Sequence, residues 1–303
     1  MSTPTTVPPH AGLPVPRPAG ARAVGRDVHR GPTFPRVLAA EWTKLTSLRS
    51  TYAVAAATVL VTGALAYVAA NASSVDPGFD PLDSLGAGLV LSQVGPLVLG
   101  VLAGTGEFST GTARTTFTAV PRRLPVLAAQ AVVTGVFALL VAVLAAGAAV
   151  LGVLPAAGSR GIAVDLSDGG TPQVLAGSVA FLVGTALLGL ALGALLRRPV
   201  PTTVAAVVLV LVLPVVLLLA TDLAVDPLSA SAAGEVPASQ AVVNTVTTFL
   251  PAGAGSLLMA APGSGGIEGA PDLEPWGGGL VLAAWVLVPL AGAALRLRTG
   301  DVG

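Results

Sequence analysis

Six stretches of this chain, 52–70, 85–104, 124–151, 174–196, 200–220 and 276–295, contain no Asp, Glu, Lys, Arg or His. Each is long enough, at about 1.5 Å per helical residue, to match a hydrocarbon core of about 30 Å. So many uncharged apolar runs cannot all be hidden in one soluble core. With 10% charged residues, the chain also falls well below the roughly 25% of soluble domains. In lipid the backbone polar groups have only one another as partners, so the crossings must be helical. The expected fold class is an all-α integral membrane protein with six transmembrane helices.

Threading the chain alternately through these spans sorts its charges. One side receives Arg17, Arg22, Arg26, Arg30, Arg36, Lys44, Arg49, Arg114, Arg122, Arg123, Arg197, Arg198, Arg296 and Arg298, whereas the other holds Arg160 alone among bases. That second side carries Asp76, Asp80, Asp83, Asp165, Asp168, Asp222, Asp226, Glu235, Glu268, Asp272 and Glu274. Basic loops stay in the cytoplasm. The expected protein is therefore multi-pass with both termini cytoplasmic. Arg outnumbers Lys fourteen to one in an Ala-, Gly-, Pro- and Val-rich chain, a bias that points to a bacterial cytoplasmic membrane.

Outside the spans, residues 1–35 are Pro-rich and lack an apolar stretch, so a disordered cytoplasmic tail is expected there, with the six-helix transmembrane domain occupying 36–303. Between tail and first span, RVLAAEWTKLTSLRS sets Leu38, Trp42, Leu45 and Leu48 at helical spacing, with Arg36, Glu41, Lys44 and Arg49 directed elsewhere. An amphipathic N-terminal helix lying at the membrane surface is expected. The segment 238–261 is uncharged and long enough to cross, but it is broken by Pro251, Gly253 and Gly255, and a crossing would invert the charge sorting. Two short helices dipping into the outer half of the membrane fit better, with an external surface loop as the alternative. Gly100 with Gly104, and Gly189 with Gly193, are expected to be helix-packing pairs.

Several chemistries are excluded or disfavoured. There is no cysteine, and the two histidines, His10 and His29, both sit in the tail, so no metal site and no catalytic residues are expected. The chain has no G-x-x-x-x-G-K-[ST] sequence, and hence no recognisable phosphate cradle of its own. The absence of ionisable groups at depth disfavours an ion-coupled carrier. The most polar side chains in the spans are Gln93 and Gln130.

One cytoplasmic segment stands out. Between the second and third spans, GTGEFSTGTARTTFTAVPRRLPV (104–126) combines a membrane-proximal acid with Phe108, Phe117 and Val120 on a polar background. Thr110 can cap a short helix over 111–119, which Pro121 would end. Apolar anchors on a short polar loop suit a docking site.

Glu107, Gly111, Thr112, Arg114, Pro121 and Arg123 form an E-x-x-x-G-T-x-R…P-x-R pattern that resembles permease subunits of ABC-2 type transporters, and EWTKLTSLRSTY resembles their amphipathic N-terminal helix. The resemblance implies a transport subunit without enzymatic activity, with export as the expected direction. It implies a homo- or heterodimer of permeases in the lipid bilayer, partnered by an ATP-binding cassette subunit that holds the ATP; this chain would carry no cofactor and bind no nucleic acid. The loop bearing Glu107, Gly111, Thr112, Arg114, Phe117, Pro121 and Arg123 would dock on the ATPase. It further implies a re-entrant segment before the last span. Other functions open to such a chain are a non-transporting scaffold or regulatory subunit and an ATP-independent carrier.

Overall fold

The computed structural model describes residues 33–109, 123–167, 170–224, 237–261 and 266–299, and all regular structure within them is helical. A short helix α1 (Phe34–Ser47) leads into α2 (Arg49–Ser73), followed by α3 (Pro81–Ser92), α4 (Val94–Ser109), α5 (Arg123–Ser159) and α6 (Thr171–Leu196). Helix α7 (Pro199–Val207) continues through a π-helical turn, Val208–Val212, into α8 (Leu213–Ala224). A bent pair, α9 (Ala238–Thr248) and α10 (Pro251–Leu258), precedes the last helix, α11 (Pro275–Thr299). Five helices are long and apolar enough to cross a membrane: α2, α5, α6, α7 continued by α8, and α11.

Burial in this bundle is inverted relative to a soluble protein. The inward face of α2 is Thr51, Thr58, Thr62, Ala66 and Ala70, while Leu60, Val61 and Val68 point outward. On α5, Leu139, Leu140, Val143 and Leu144 are exposed, whereas Ala142, Ala145 and Ala149 are buried. Exposed apolar faces on this scale are intolerable in water but neutral against lipid, and small inward residues let the backbones approach. The chain is a multi-pass membrane protein.

Helices α4 and α6 approach each other closely. A Cβ added at Gly100 would collide with the Ala186 carbonyl oxygen, and one at Gly104 would meet the Leu190 oxygen and, at 3.0 Å, the Ala194 nitrogen. Reciprocally, a Cβ at Gly193 would stand 3.0 Å from Gly104 Cα, and one at Gly189 would strike the Leu97 oxygen. The two glycine pairs noted in the sequence are thus the two sides of one seam. Helix α6 is surrounded on its other flanks by α5, α10 and α11, with Phe181, Leu182, Ala254 and Leu282 in a shared apolar cluster.

Two of the six expected spans are interrupted, and proline accounts for both. The second, expected as a single span over 85–104, is instead two helices meeting at Gln93. Pro96 lacks an N–H, and its ring would clash with the carbonyl four residues back, at Ser92, where α3 stops. Likewise Pro214 cannot bond to Val210; the ladder shifts there, with the Leu213 N–H reaching the Val208 oxygen. Gly95 makes the first break tight, for its Cα lies directly against Thr58 of α2.

The contacts separate the bundle into a basic and an acidic end. Leu127 near the start of α5 packs with Ala194 and Leu297 at the ends of α6 and α11, and Val37 of α1 packs with Val126 and Ala129. Arg36, Lys44, Arg49, Arg197, Arg198, Arg296 and Arg298 therefore belong to one end. Between α6 and α7, Arg197 takes a left-handed conformation (φ 59°) with its N–H bonded to Gly193, and Arg198 is extended ahead of Pro199. This tight turn leaves Arg198 exposed as expected, whereas Arg197 is half-buried, with its Nε and Nη2 enclosed. At the other end Phe79 and Leu85 pack on Val153 and Ala156, and Arg160 Nη2 donates to the Asp76 carbonyl at 3.2 Å.

Helices α9 and α10 are bent by 80°. At the break, the Phe249 carbonyl accepts from Trp285 Nε1 (2.8 Å), deep along α11. Both arms return to the acidic end: Asn244 Nδ2 donates to Glu268 O at 2.8 Å, and Ala260 O accepts from Gln173 Nε2 at 3.1 Å. Gly177 and Gly278 admit α10 between α6 and α11. The α10 arm is largely buried, whereas α9 buries only Thr248 and leaves Val242 and Val246 exposed.

Candidate functional site

The sequence singles out the basic end, and the structure builds a definite assembly there. Glu107 lies in the last turn of α4 and Arg123 opens α5, so both stems of the 104–126 segment leave the bundle at this end. Gly111, Thr112, Arg114, Phe117 and Pro121, together with the short helix expected over 111–119, lie outside the described residues.

Beside these stems sits α1. Pro35 occupies its first turn, where no donor is lost, and Leu48, extended at φ −87° and ψ 123°, ends it and separates it from α2. The expected apolar face of Leu38, Trp42, Leu45 and Leu48 is only partly the face that is used. Leu38 and Leu45 are half-buried, the former against Val37, Val126 and Ala129 and the latter against Leu99, Phe137 and Val141. Trp42 stands at the edge, its ring 6.4 Å from that of Phe137 in an edge-to-face contact that Tyr52 mirrors at 6.5 Å. Leu48 lies outside the helix and is 52% exposed.

The inward row is Val37, Glu41 and Leu45, one residue round from the predicted face, because α1 packs on α5, with Leu45 also meeting the cluster that holds Leu99. Glu41, expected to point away, is 7% exposed, with its Oε1 accepting from Lys44 Nζ at 2.8 Å. Periodicity ranks residues by apolarity and cannot turn a glutamate inward. The Glu41–Lys44 spacing of three residues was the available signal. The half-exposed Trp42 and Tyr52 at this end, and Tyr67 and Trp276 at the other, occupy the positions of two interfacial aromatic belts.

A second polar group lies inside the bundle. Ser92 and Thr62 hydroxyls are 2.6 Å apart, and Thr62 Oγ1 donates to Thr58 O at 2.6 Å. One hydroxyl proton serves one of these two bonds at a time, so Thr62 links Ser92 and the Thr58 carbonyl in a single hydroxyl network. The adjoining Gln93 is 2% exposed, and its Oε1 has no hydrogen-bond partner among the described residues. Gln93 stood out in the sequence only as polar. Its position at a helix break is a consequence of Pro96.

Among the described residues no three His, Cys, Asp or Glu side chains gather as metal ligands. Comparison with protein-family models gives no match, and comparison with curated protein sequences gives none either.

Proposed function

We propose that this chain is the permease subunit of an ABC-2 type transporter in a bacterial cytoplasmic membrane, and that it works as an exporter driven by a separate ATP-binding cassette subunit. The motif in 107–123 carries the reading. The supporting observation is that both stems of that segment emerge at the basic end, beside α1 and the ends of α6 and α11. With basic flanks facing the cytosol, a soluble motor can reach the loop, whose closure would be passed directly into α4. The glycine seam then joins α4 to α6, the most enclosed helix of the bundle, so a push on α4 moves the centre of the molecule. ATP-driven closure shifts an inward–outward equilibrium only if the loop meets the motor differently in the two states.

On this reading the role of Glu107 is to pair with Arg114 or Arg123 and set the loop's angle to α4, a geometric role because a solvent-exposed pair is worth only about 0 to 1 kcal/mol. The test is co-expression with a candidate ATP-binding cassette subunit, followed by transport and hydrolysis assays. Glu107→Lys is expected to abolish transport while the chain still reaches the membrane. Unchanged transport in that variant, or an ATPase indifferent to this chain, would end the proposal.

A further inference from the structure

Between α1, α2, α4 and α5 lies a cavity of about 250 Å³. Leu45, Val54, Leu99, Leu102 and Val133 form its apolar walls, and Glu41, Lys44 and Ser50 stand at its basic-end mouth. Along α4 the lining runs from Leu99 to Gly106, roughly 10 Å of helix. The cavity thus reaches from the membrane surface well into one leaflet. Leu48 and Leu102 line it and are also exposed on the lipid-facing surface, so it communicates with the bilayer.

Its chemistry selects an occupant. Even with Thr51, Gln130 and Thr134 in the lining its surface is mostly apolar and favours apolar contact over water, and an unfilled space of this size forfeits dispersion contacts along those walls. A hydrocarbon chain satisfies both conditions. The mouth then specifies the head group. Over residues 33–52 the chain has three bases, Arg36, Lys44 and Arg49, against one acid, Glu41, a net charge of +2. Glu41 is buried and turned to Lys44, whereas Lys44 and Arg49 are exposed to the head-group region. Arg49 lies between Leu48 and Ser50, both of which line the cavity.

We propose that the cavity is a binding site for one anionic phospholipid, whose acyl chain lies between Leu99, Leu102 and Val133 and whose phosphate meets Lys44 and Arg49. The lipid seats α1 against α4 and makes the basic end sensitive to the anionic content of the membrane. This site does not depend on the transport reading. Its assay requires neither an ATPase nor a cargo.

The test is native mass spectrometry of the full chain, purified in mild detergent and offered dioleoylphosphatidylglycerol or dioleoylphosphatidylcholine, which share their acyl chains. One phosphatidylglycerol is expected to be retained in preference to phosphatidylcholine. Arg49→Gln is expected to weaken phosphatidylglycerol binding about fivefold, the contribution of one base at an anionic lipid surface, and to leave phosphatidylcholine unchanged. Ala103→Trp fills the cavity and is expected to remove the bound lipid. Equal retention of the two lipids, or retention unaltered by Ala103→Trp, overturns the proposal. Because a tryptophan there can prevent folding, Arg49→Gln is decisive alone: undiminished phosphatidylglycerol selectivity in that variant also overturns it.

Discussion

Replacing Gly100 by alanine puts a methyl group where there is no room. The built Cβ collides with the Ala186 oxygen and stands 2.8 Å from both the Ala186 carbon and the Leu190 nitrogen. All three are backbone atoms of α6, so no rotamer change relieves the contact and the helices must separate. Ordinary contact begins near 3.4 Å, which requires a shift of at least 0.6 Å (3.4 less 2.8) at two of these atoms. Overpacking of this kind costs about 1 to 3 kcal/mol. Alanine also gains about 1 kcal/mol over glycine as a helix former, so the steric cost must be read against a reference. Gly147 on α5 supplies it, because a Cβ there meets nothing within 4 Å. Gly100→Ala should therefore be less stable than Gly147→Ala by about 1 to 3 kcal/mol. At roughly 2 to 4 °C per kcal/mol, the gap in unfolding temperature is about 2 to 12 °C. Thermal unfolding in detergent, followed by tryptophan fluorescence, measures it. Equal midpoints for the two variants would refute the seam as a close backbone contact.

Two further outcomes are expected. Gln93→Met removes a buried amide oxygen that lacks a partner among the described residues, so it should raise stability by about 1 to 3 kcal/mol in the same assay; a fall would mean that this amide is held by a bond. Because the chain has no cysteine, single cysteines can be labelled without background. In intact cells a membrane-impermeant maleimide should modify Ser167→Cys, and Thr43→Cys only after lysis; labelling of both from one side would contradict the separation of the acidic and basic ends.

Much of the fold was legible because the relevant physics is local. Five of the six predicted spans lie within continuous helical segments, and Gly100, Gly104, Gly189 and Gly193 pack as their four-residue spacing implied. The second span differs because a hydropathy window averages over Pro96 and does not register that Ser92 loses its bonding partner. On α1 the predicted face is rotated by one residue, since a lone amphipathic helix orients only to the lipid interface whereas this one also packs on α5. The predicted docking residues 111–121 lie outside the described residues, and only their stems, at Glu107 and Arg123, are placed.

The sequence by itself determined the solvent, the helical class and the sorting of charge. Each follows from the cost of placing single groups in hydrocarbon, and that cost is the same wherever the group sits in the fold. Only the tertiary structure decided which glycines face each other, that Glu41 turns inward to Lys44, that both arms of the α9–α10 dip return to the acidic end, and that α1 roofs a cavity. Those facts depend on pairs of residues far apart in the chain, whose proximity arises from packing and leaves no local periodic trace.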